Sequence, residues 1–453
     1  MRFFIGGRGS DMGGEGVGIG VVTAGEADSP LASGALAHRG DAVEALSPTW
    51  LTRHPSAPVV YAALEGEQRV AAFRRTGEAT LEPIGSVEAG EAVCHVAVAP
   101  DGSRLVASCW GDGRVVHVPL ARDGRLGEPA LAPAARDPYR PADPVSSVPG
   151  DDAADPVAAG EDPADIAARL LRQASGEDEP SLPDWSGAVD LGALVSGGGD
   201  PSRIAAMLAG TDDGSDPAAE LRALLGGRTG PFDDPAVRGL LAARAGTAPD
   251  APDPSEPRPS RAHAALFLPD GRIATTDLGY DLVRFWRVGP RGLVPDHEVV
   301  LPFGSGPRHM VLHPSGFLHV VTELSCEVFV LAQGPDGRWS LRAGAQTGAA
   351  EGDAAAELAA SRDGRYLYAG LRGSDTISVL RVGGDGDRLE RVALAESGIV
   401  KPRHHVLVRD TLLVAGQGSD EIVSLPVDER TGFPGRVRQR LAYPAPTCLL
   451  PVA

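Results

Sequence analysis

The sequence predicts an all-β fold, a seven-bladed β-propeller with a long acidic insertion, partly helical or disordered, in one blade. Three observations favour this fold: a short turn recurs at a regular interval, β-rich runs follow each turn, and the two chain ends supply strands for one more blade. The 58 glycines and 39 prolines suit many short strands joined by turns. Because aromatic residues make up only 5% of the chain, we expect a core built mainly of Val, Leu, Ala and Ile.

The recurring turn has the form Pro/Arg-Asp/Ser-Gly. Four clear copies and two degenerate ones begin, in chain order, at Pro55, Pro100, Pro269, Pro314, Arg362 and Arg409. Their spacings are 45, 169, 45, 48 and 47 residues, and subtracting an insertion of roughly 120 residues from the long spacing leaves one common interval. Such an interval is typical of a four-stranded propeller blade. A β-sandwich, the plainer all-β alternative, does not explain it.

The six turns account for six blades, and the chain ends complete the seventh. Residues 447–452 would form its first strand, and residues 3–5 and 17–22 would supply later strands. Joining both ends in one blade closes the ring and removes the free strand edges that invite aggregation.

Residues 137–258 form the insertion, between propeller segments 1–136 and 259–453. They hold 23 acidic residues against 9 arginines and interrupt the repeat after the third strand run of a blade. An Asp-Pro pair is a sound helix start, with Asp as N-cap and Pro in the first turn. Such pairs precede Ala/Leu runs at Asp162-Pro163, Asp200-Pro201, Asp216-Pro217 and Asp234-Pro235. The segment is either a tolerated insertion or a binding site for a protein partner.

Charge and composition exclude several functions. A net charge of −19 argues against nucleic-acid binding, which needs a basic surface. The sequence contains no run of 18 apolar residues, so we expect no membrane-spanning segment and no membrane association. The first residues lack the apolar core of a signal peptide, and we therefore expect a cytoplasmic protein. The four cysteines have no metal-ligand spacing and are expected to be reduced and buried. We expect neither a metal nor an organic cofactor.

Aligning the repeats predicts which residues face the central channel. One position near the start of each first strand is occupied by Trp50, His95, His263, His309, Glu357, His404 and Cys448. The preceding position is occupied by Thr49, Cys94, Ala262, Arg308, Ala356, Arg403 and Thr447. A position after each second strand gives Glu65, Trp110, Leu278, Glu323, Arg372 and Gln417. Because first strands line the axis of a propeller, all three sets should meet in one pocket.

The channel positions carry three arginines, Arg308, Arg372 and Arg403, but only two glutamates that could neutralise them, Glu323 and Glu357. This excess of positive charge favours an anionic ligand. Structural ion pairs with these carboxylates are the competing interpretation. The repeated histidines could instead have a structural role, each forming a hydrogen bond to a neighbouring blade. This interpretation is stronger for His95 and His404 than for His263 and His309.

The same residues resemble the lactonase-type β-propeller family, which includes 6-phosphogluconolactonase and the muconate-lactonizing enzyme. The matching stretches are 92–95 with 100–102, 304–309, 322–325, 355–358, 371–374 and 402–404. The resemblance covers the chain outside residues 137–258. It implies hydrolysis of a small anionic sugar lactone, 6-phosphoglucono-δ-lactone in the pentose phosphate pathway, without a cofactor.

By motif, the family's proposed active site falls on His263, Arg308, Glu323 and Arg372. Channel position adds six substrate-binding candidates: His95, His309, Glu357, Arg403, His404 and Gln417. Arg308 and Arg372 would hold an oxyanion or phosphate, and Glu323 or His263 would act as general base. In one departure, Arg261 stands where the family commonly has the first His of a Gly-Pro-His-Ala-His stretch. The alternatives are a muconate-type cycloisomerase and a non-catalytic binding propeller.

Overall fold

A computed structural model describes residues 1–140 and 257–452. These residues form 28 strands and one short 3-10 helix, Ser10–Met12. In chain order the strands are β1 (Arg2–Gly7), β2 (Gly18–Ala24), β3 (Leu36–Glu44), β4 (Pro48–Arg53), β5 (Val59–Leu64), β6 (Arg69–Arg75), β7 (Leu81–Glu88), β8 (Val93–Val98), β9 (Arg104–Cys109), β10 (Val115–Pro119), β11 (Ala130–Leu131), β12 (Ala262–Phe267), β13 (Ile273–Asp277), β14 (Leu282–Gly289), β15 (Gly292–Val300), β16 (Pro307–Leu312), β17 (Leu318–Thr322), β18 (Glu327–Gln333), β19 (Trp339–Gln346), β20 (Ala354–Ala360), β21 (Tyr366–Arg372), β22 (Thr376–Gly383), β23 (Arg388–Glu396), β24 (Pro402–Val408), β25 (Thr411–Gly416), β26 (Glu421–Pro426), β27 (Gln439–Ala442) and β28 (Pro446–Val452).

The strands form seven antiparallel four-stranded sheets, which confirms the predicted seven-bladed propeller. Blades 1 to 6 begin with β4, β8, β12, β16, β20 and β24 and use consecutive strands. Blade 7 has the order β28-β1-β2-β3, so both chain ends meet in it as predicted. The first strand of every blade contacts the first strands of both neighbouring blades, including β28 with β4, and this closes the ring.

The hydrophobic core lies between blades. Seven clusters of buried side chains occupy the seven blade interfaces in the described part of the chain. One cluster packs Phe4 and Ile19 of blade 7 against Leu51 and Phe73 of blade 1. Val, Leu, Ala and Ile predominate in these clusters, as the composition predicts. Stacking the sheets face to face removes these strands from water on both sides.

The repeated turn connects the first and second strands of a blade. Gly102 and Gly364 in two of its copies have φ of 71° and 74°, a left-handed conformation that glycine adopts without strain. At the opposite end of the blades, aspartates fix the loops that enter the next blade. Asp281 accepts hydrogen bonds from Gly304 N and Gly306 N at 2.9 and 2.8 Å. This second set of loops faces the pocket.

The insertion lies between blades, and its predicted position after a third strand is wrong. Blade 2 already has its fourth strand, β11, before the chain leaves it, and β12 begins blade 3. The described flanks are joined at the pocket end. Arg258 binds Asp137 at 2.7 Å and Asp281 at 2.5 Å, and its guanidinium lies 4.5 Å from the Phe303 ring centroid.

The Asp-Pro helix starts predicted at 162, 200, 216 and 234 lie outside the described residues. No helix within residues 1–140 or 257–452 has the length and apolar character of a bilayer-spanning segment. All four cysteines are buried free thiols, as predicted.

Candidate active site

A β-bulge near the start of the first strand interrupts the regular pairing in every blade. The register shifts occur at Pro48/Trp50, Val93/His95, Ala262/Ala265, Pro307/Met310, Ala355/Leu358, Pro402/His404 and, in blade 7, opposite Gly6/Gly7. A bulge leaves one residue unpaired and changes the direction of adjacent side chains, and bulges often lie beside active sites. Here they place the predicted channel residues in two layers.

The lower layer is a cluster of aromatic rings. The Trp50 ring lies 4.4 Å from His95 and 5.2 Å from both His309 and His404, measured between ring centroids. The His263 and His309 rings are 5.1 Å apart. All five side chains thus come together at the axis, as the repeat alignment predicted.

Two of these histidines make the bond between blades that the sequence analysis offered as the alternative. His95 Nδ1 accepts from Ala265 N of blade 3 at 3.3 Å, and His404 Nδ1 accepts from Leu449 N of blade 7 at 3.2 Å. Through these contacts His95 and His404 each connect two neighbouring blades, which is a structural role. In the described residues neither ring nitrogen of His263 has a hydrogen-bond partner, and its Nδ1 is buried.

His309 is paired with the carboxylate of the next blade. Its Nδ1 lies 2.8 Å from Glu357 Oε2, and His404 Nε2 lies 3.6 Å from the same oxygen. Burial lowers the pKa of His95, His263 and His309 well below the ordinary histidine value, and the nearby Arg308 lowers all three further. The imidazoles of the channel are therefore neutral at physiological pH.

The upper layer contains the predicted arginines and Glu323. Glu323 Oε2 accepts from Arg308 Nε at 2.9 Å and from Arg372 Nη2 at 3.1 Å. Burial raises the pKa of Glu323, but the two guanidinium groups more than offset this and bring the pKa below its ordinary value. The structural ion pair considered from the sequence is thus present, and it holds Glu323 ionised.

Arg403 differs from its neighbours because it has no hydrogen bond or ion pair with any described residue. Burial, followed by repulsion from Arg308 and Arg372, lowers the pKa of Arg403 to about 10. Arg308 Nη1 is also buried without a hydrogen-bond partner. Two guanidinium groups therefore retain unused donors in one electropositive region.

The repeat analysis missed a fourth arginine, Arg8. It follows β1, the second strand of blade 7, and is the seventh member of the set that ends second strands. When the amide oxygen of Gln417 faces Arg8, it accepts from Arg8 Nε and Nη1 at 3.1 and 3.2 Å. Arg8 also contributes to the lowered pKa of Arg403. The signal that could have found it was the missing seventh member of that set.

Charge in the upper layer is unbalanced. Arg8, Arg308, Arg372 and Arg403 face two carboxylates, Glu65 and Glu323, and the attraction of Glu65 for Arg403 is smaller than the repulsion from Arg308 and Arg372. Glu65 Oε2 is itself buried without a partner. This region of the channel therefore carries more positive than negative charge, from groups whose geometry suits a carboxylate or phosphate.

Arg261 does not take part in the arginine cluster. Its Nη1 donates to Trp110 O at 3.0 Å and Gly111 O at 2.7 Å, and its guanidinium lies 4.1 Å from the centroid of the Trp110 indole. Trp110 is another end-of-second-strand residue, and 41% of its surface is exposed. The residue that replaces the family's histidine thus supports an aromatic side chain at the rim of the pocket.

Two cavities lie outside the arginine layer. One of about 340 Å³ continues the channel below Trp50 and Glu357, with walls that include Ala360, Val406 and Leu450. A cleft of about 360 Å³ lies at the opposite end of blades 5 and 6, where its Arg365 is paired with Asp363 at 2.5 Å. Neither contains the arginines of the upper layer.

Comparisons with known proteins agree with this architecture. The model of a family described as "Lactonase, 7-bladed beta-propeller" matches residues 4–140 and 238–451. An uncharacterised protein of Lactococcus lactis is 31% identical over 212 residues, which cover 44% of this chain. The match spans 62% of the length of that relative.

Solved structures share the fold at low sequence identity. A Bacteroides fragilis protein, provisionally described as a 6-phosphogluconolactonase, superposes with a TM-score of 0.64 at 16% identity, covering 99% of this chain and 96% of that one. A periplasmic gluconolactonase of Pseudomonas aeruginosa gives 0.63 at 17% identity, covering 99% and 98%. At this identity the likeness establishes the fold.

Proposed function

The chain belongs to the seven-bladed β-propeller lactonase family, and from that premise we propose that it hydrolyses an anionic sugar δ-lactone, 6-phosphoglucono-δ-lactone in the first instance. One structural neighbour named above is provisionally described as a 6-phosphogluconolactonase and the other as a gluconolactonase, which supports the choice of a sugar lactone. The proposal places the reaction in the pentose phosphate pathway. A cytoplasmic location stays a prediction, since one of these neighbours is periplasmic.

The observation that carries the proposal is the pair of unused guanidinium groups. Arg403 has no partner among the described residues, and Arg308 Nη1 is buried with none. A buried donor without a partner costs free energy, of the order of 1–3 kcal/mol, unless a ligand or water satisfies it. A phosphate or carboxylate satisfies several such donors at once because guanidinium geometry matches its oxygens.

In the proposed reaction a water oxygen adds to the lactone carbonyl carbon and gives its proton to His263. The developing oxyanion is stabilised by Arg308 and Arg372. The ring C–O bond then breaks, His263 returns the proton to the departing ring oxygen, and the product is the open-chain hydroxy acid. A positioned base contributes roughly 10²–10⁴-fold and an oxyanion donor about 10²–10³-fold.

His263 suits the role of base better than Glu323. Glu323 Oε2 is already engaged by two guanidinium groups, Arg308 at 2.9 Å and Arg372 at 3.1 Å. His263 is neutral, and its ring nitrogens are free of hydrogen bonds to described residues. Glu323 instead fixes the positions of Arg308 and Arg372. A non-catalytic binding propeller would not require such a buried guanidinium cluster.

The test is the hydrolysis rate of freshly generated 6-phosphoglucono-δ-lactone, measured for the wild type, His263→Gln, Arg308→Ala and Glu323→Gln. We expect turnover well above spontaneous opening and a loss of at least about 100-fold in His263→Gln and Arg308→Ala. Arg362→Ala, an exposed arginine at the opposite end of the propeller, is the matched control. A wild-type rate equal to spontaneous opening would overturn the proposal.

A further inference from the structure

The wall of the pocket is divided into two sectors. The channel positions of blades 4, 5, 6, 7 and 1 carry the arginines and glutamates described above. At the two sets of positions that carry the arginines, the one before each ring residue of the lower layer and the one at the end of each second strand, the adjacent blades 2 and 3 have Cys94, Trp110, Ala262 and Leu278; their His95 and His263 lie in the lower layer. A ligand held by these arginines would therefore have charged groups on one side, while Trp110 is the exposed apolar side chain on the other.

Trp110 is the largest side chain of the apolar sector, and it is held in place. Arg261 binds its carbonyl oxygen and that of Gly111, and stacks its guanidinium 4.1 Å from the ring centroid. The Arg261 backbone is fixed in turn, because its N–H donates to the buried Asp277 carboxylate at 2.8 Å. A cation over an aromatic face is a stabilising contact. The indole is thus held in one orientation, and Trp110 as a residue is 41% exposed.

We propose that Trp110, supported by Arg261, determines specificity by stacking against the C–H face of a pyranose-like lactone ring. A sugar δ-lactone carries its hydroxyl groups around the ring edge and exposes C–H groups on its faces, and an indole binds such a face by apolar contact. Its anionic substituent then reaches the arginines across the pocket. The inference rests on the proposed function and names the substrate class: a six-membered sugar ring with an anionic group.

The experiment compares wild type with Trp110→Ala, Trp110→Phe and Trp110→Leu. Binding of glucose 6-phosphate, a pyranose without a lactone ester to open, is measured by calorimetry, and kcat and KM are measured on 6-phosphoglucono-δ-lactone. We expect Trp110→Ala and Trp110→Leu to weaken binding and raise KM by about threefold to tenfold with kcat within about twofold, and Trp110→Phe to retain most of the affinity. Phe433→Ala is the matched control, since Phe433 is 43% exposed at the opposite end of blade 6.

Two results overturn the inference. If Trp110→Ala retains the wild-type affinity and KM, stacking on Trp110 is excluded. If Trp110→Leu retains the wild-type affinity, the contact is ordinary apolar burial and does not require an aromatic ring. The proposed function fails separately, if the wild type does not accelerate lactone opening. The calorimetric comparison still tests the stacking surface in that case, because it does not depend on turnover; a wild type that does not bind glucose 6-phosphate also counts against the inference.

Discussion

Replacing Arg403 by methionine should stabilise the fold and abolish anion binding. The side chain carries a full positive charge near three other arginines, without a described partner. Methionine keeps an unbranched apolar stem of similar shape and removes the charge. Arg403→Met should therefore raise the free energy of unfolding while it removes a ligand-binding group. Such an exchange is expected where a residue serves binding at a cost in stability.

The magnitude follows from the pKa of Arg403, which folding lowers from the ordinary arginine value to about 10. At about 1.4 kcal/mol per pKa unit, the charged form is destabilised by about 3 kcal/mol in the folded state. Because the side chain is partly exposed, solvent screening reduces this, and we expect the free energy of unfolding to rise by about 1–3 kcal/mol.

Urea denaturation near neutral pH, with and without 6-phosphogluconate, measures both effects. A ligand at about 100 times its Kd stabilises the wild type by about 2.7 kcal/mol, and Arg403→Met should lose this increment. Arg362→Met removes the same charge from an exposed site and should change neither quantity. An Arg403→Met protein that is less stable than wild type and still binds the ligand would refute the reasoning.

Three further predictions concern pH and the insertion. Burial lowers the pKa of His404 to about 4, so the folded state binds fewer protons than the unfolded chain. The contribution of His404 to the free energy of unfolding should be fully present above about pH 6.5 and be lost as the pH falls towards 4. In urea titrations over this range, His404→Gln should reduce the slope of the free energy of unfolding against pH by about 1.4 kcal/mol per pH unit, and equal slopes for the two proteins would contradict this. Because burial and Arg308 keep the pKa of His263 well below its usual value, kcat/KM for unphosphorylated glucono-δ-lactone, which has no phosphate that titrates near pH 6, should stay level from about pH 7 to pH 6, and an inflection near 6.5 would exclude His263 as the base. Replacing residues 141–256 by a short Gly/Ser linker should leave near-ultraviolet circular dichroism and Tm close to wild type, since Arg258 joins the flanks through Asp137; a molten or insoluble product would refute this.

The fold could be predicted because four blades repeat one turn with the same backbone requirement, and degenerate copies at the same spacing mark two more. Left-handed glycines such as Gly102 mark that turn, and a regular spacing survives even where the strands vary. The position of the insertion could not be predicted in the same way. The fourth strand of blade 2 has only two residues, Ala130–Leu131, too few to form a recognisable apolar run.

The sequence also predicted which residues face the channel, but it did not predict the hydrogen-bond partner of each histidine. His95 and His263 occupy equivalent positions, yet the first accepts a backbone hydrogen bond from the next blade and the second has no described partner. The difference depends on bulge geometry and on the neighbouring blade, which a repeat alignment does not contain. Arg8 was missed because blade 7 is divided between the chain ends and lacks the marker turn.

The most direct test of the central claim compares kcat/KM for phosphorylated and unphosphorylated glucono-δ-lactone under identical conditions. If unused arginine donors receive the anionic group, the phosphorylated lactone should be preferred by about 10- to 100-fold, and Arg403→Met should reduce that preference towards unity. Equal values for the two lactones in the wild type, or a preference that survives in Arg403→Met, would contradict the assignment of this pocket as an anionic-lactone site.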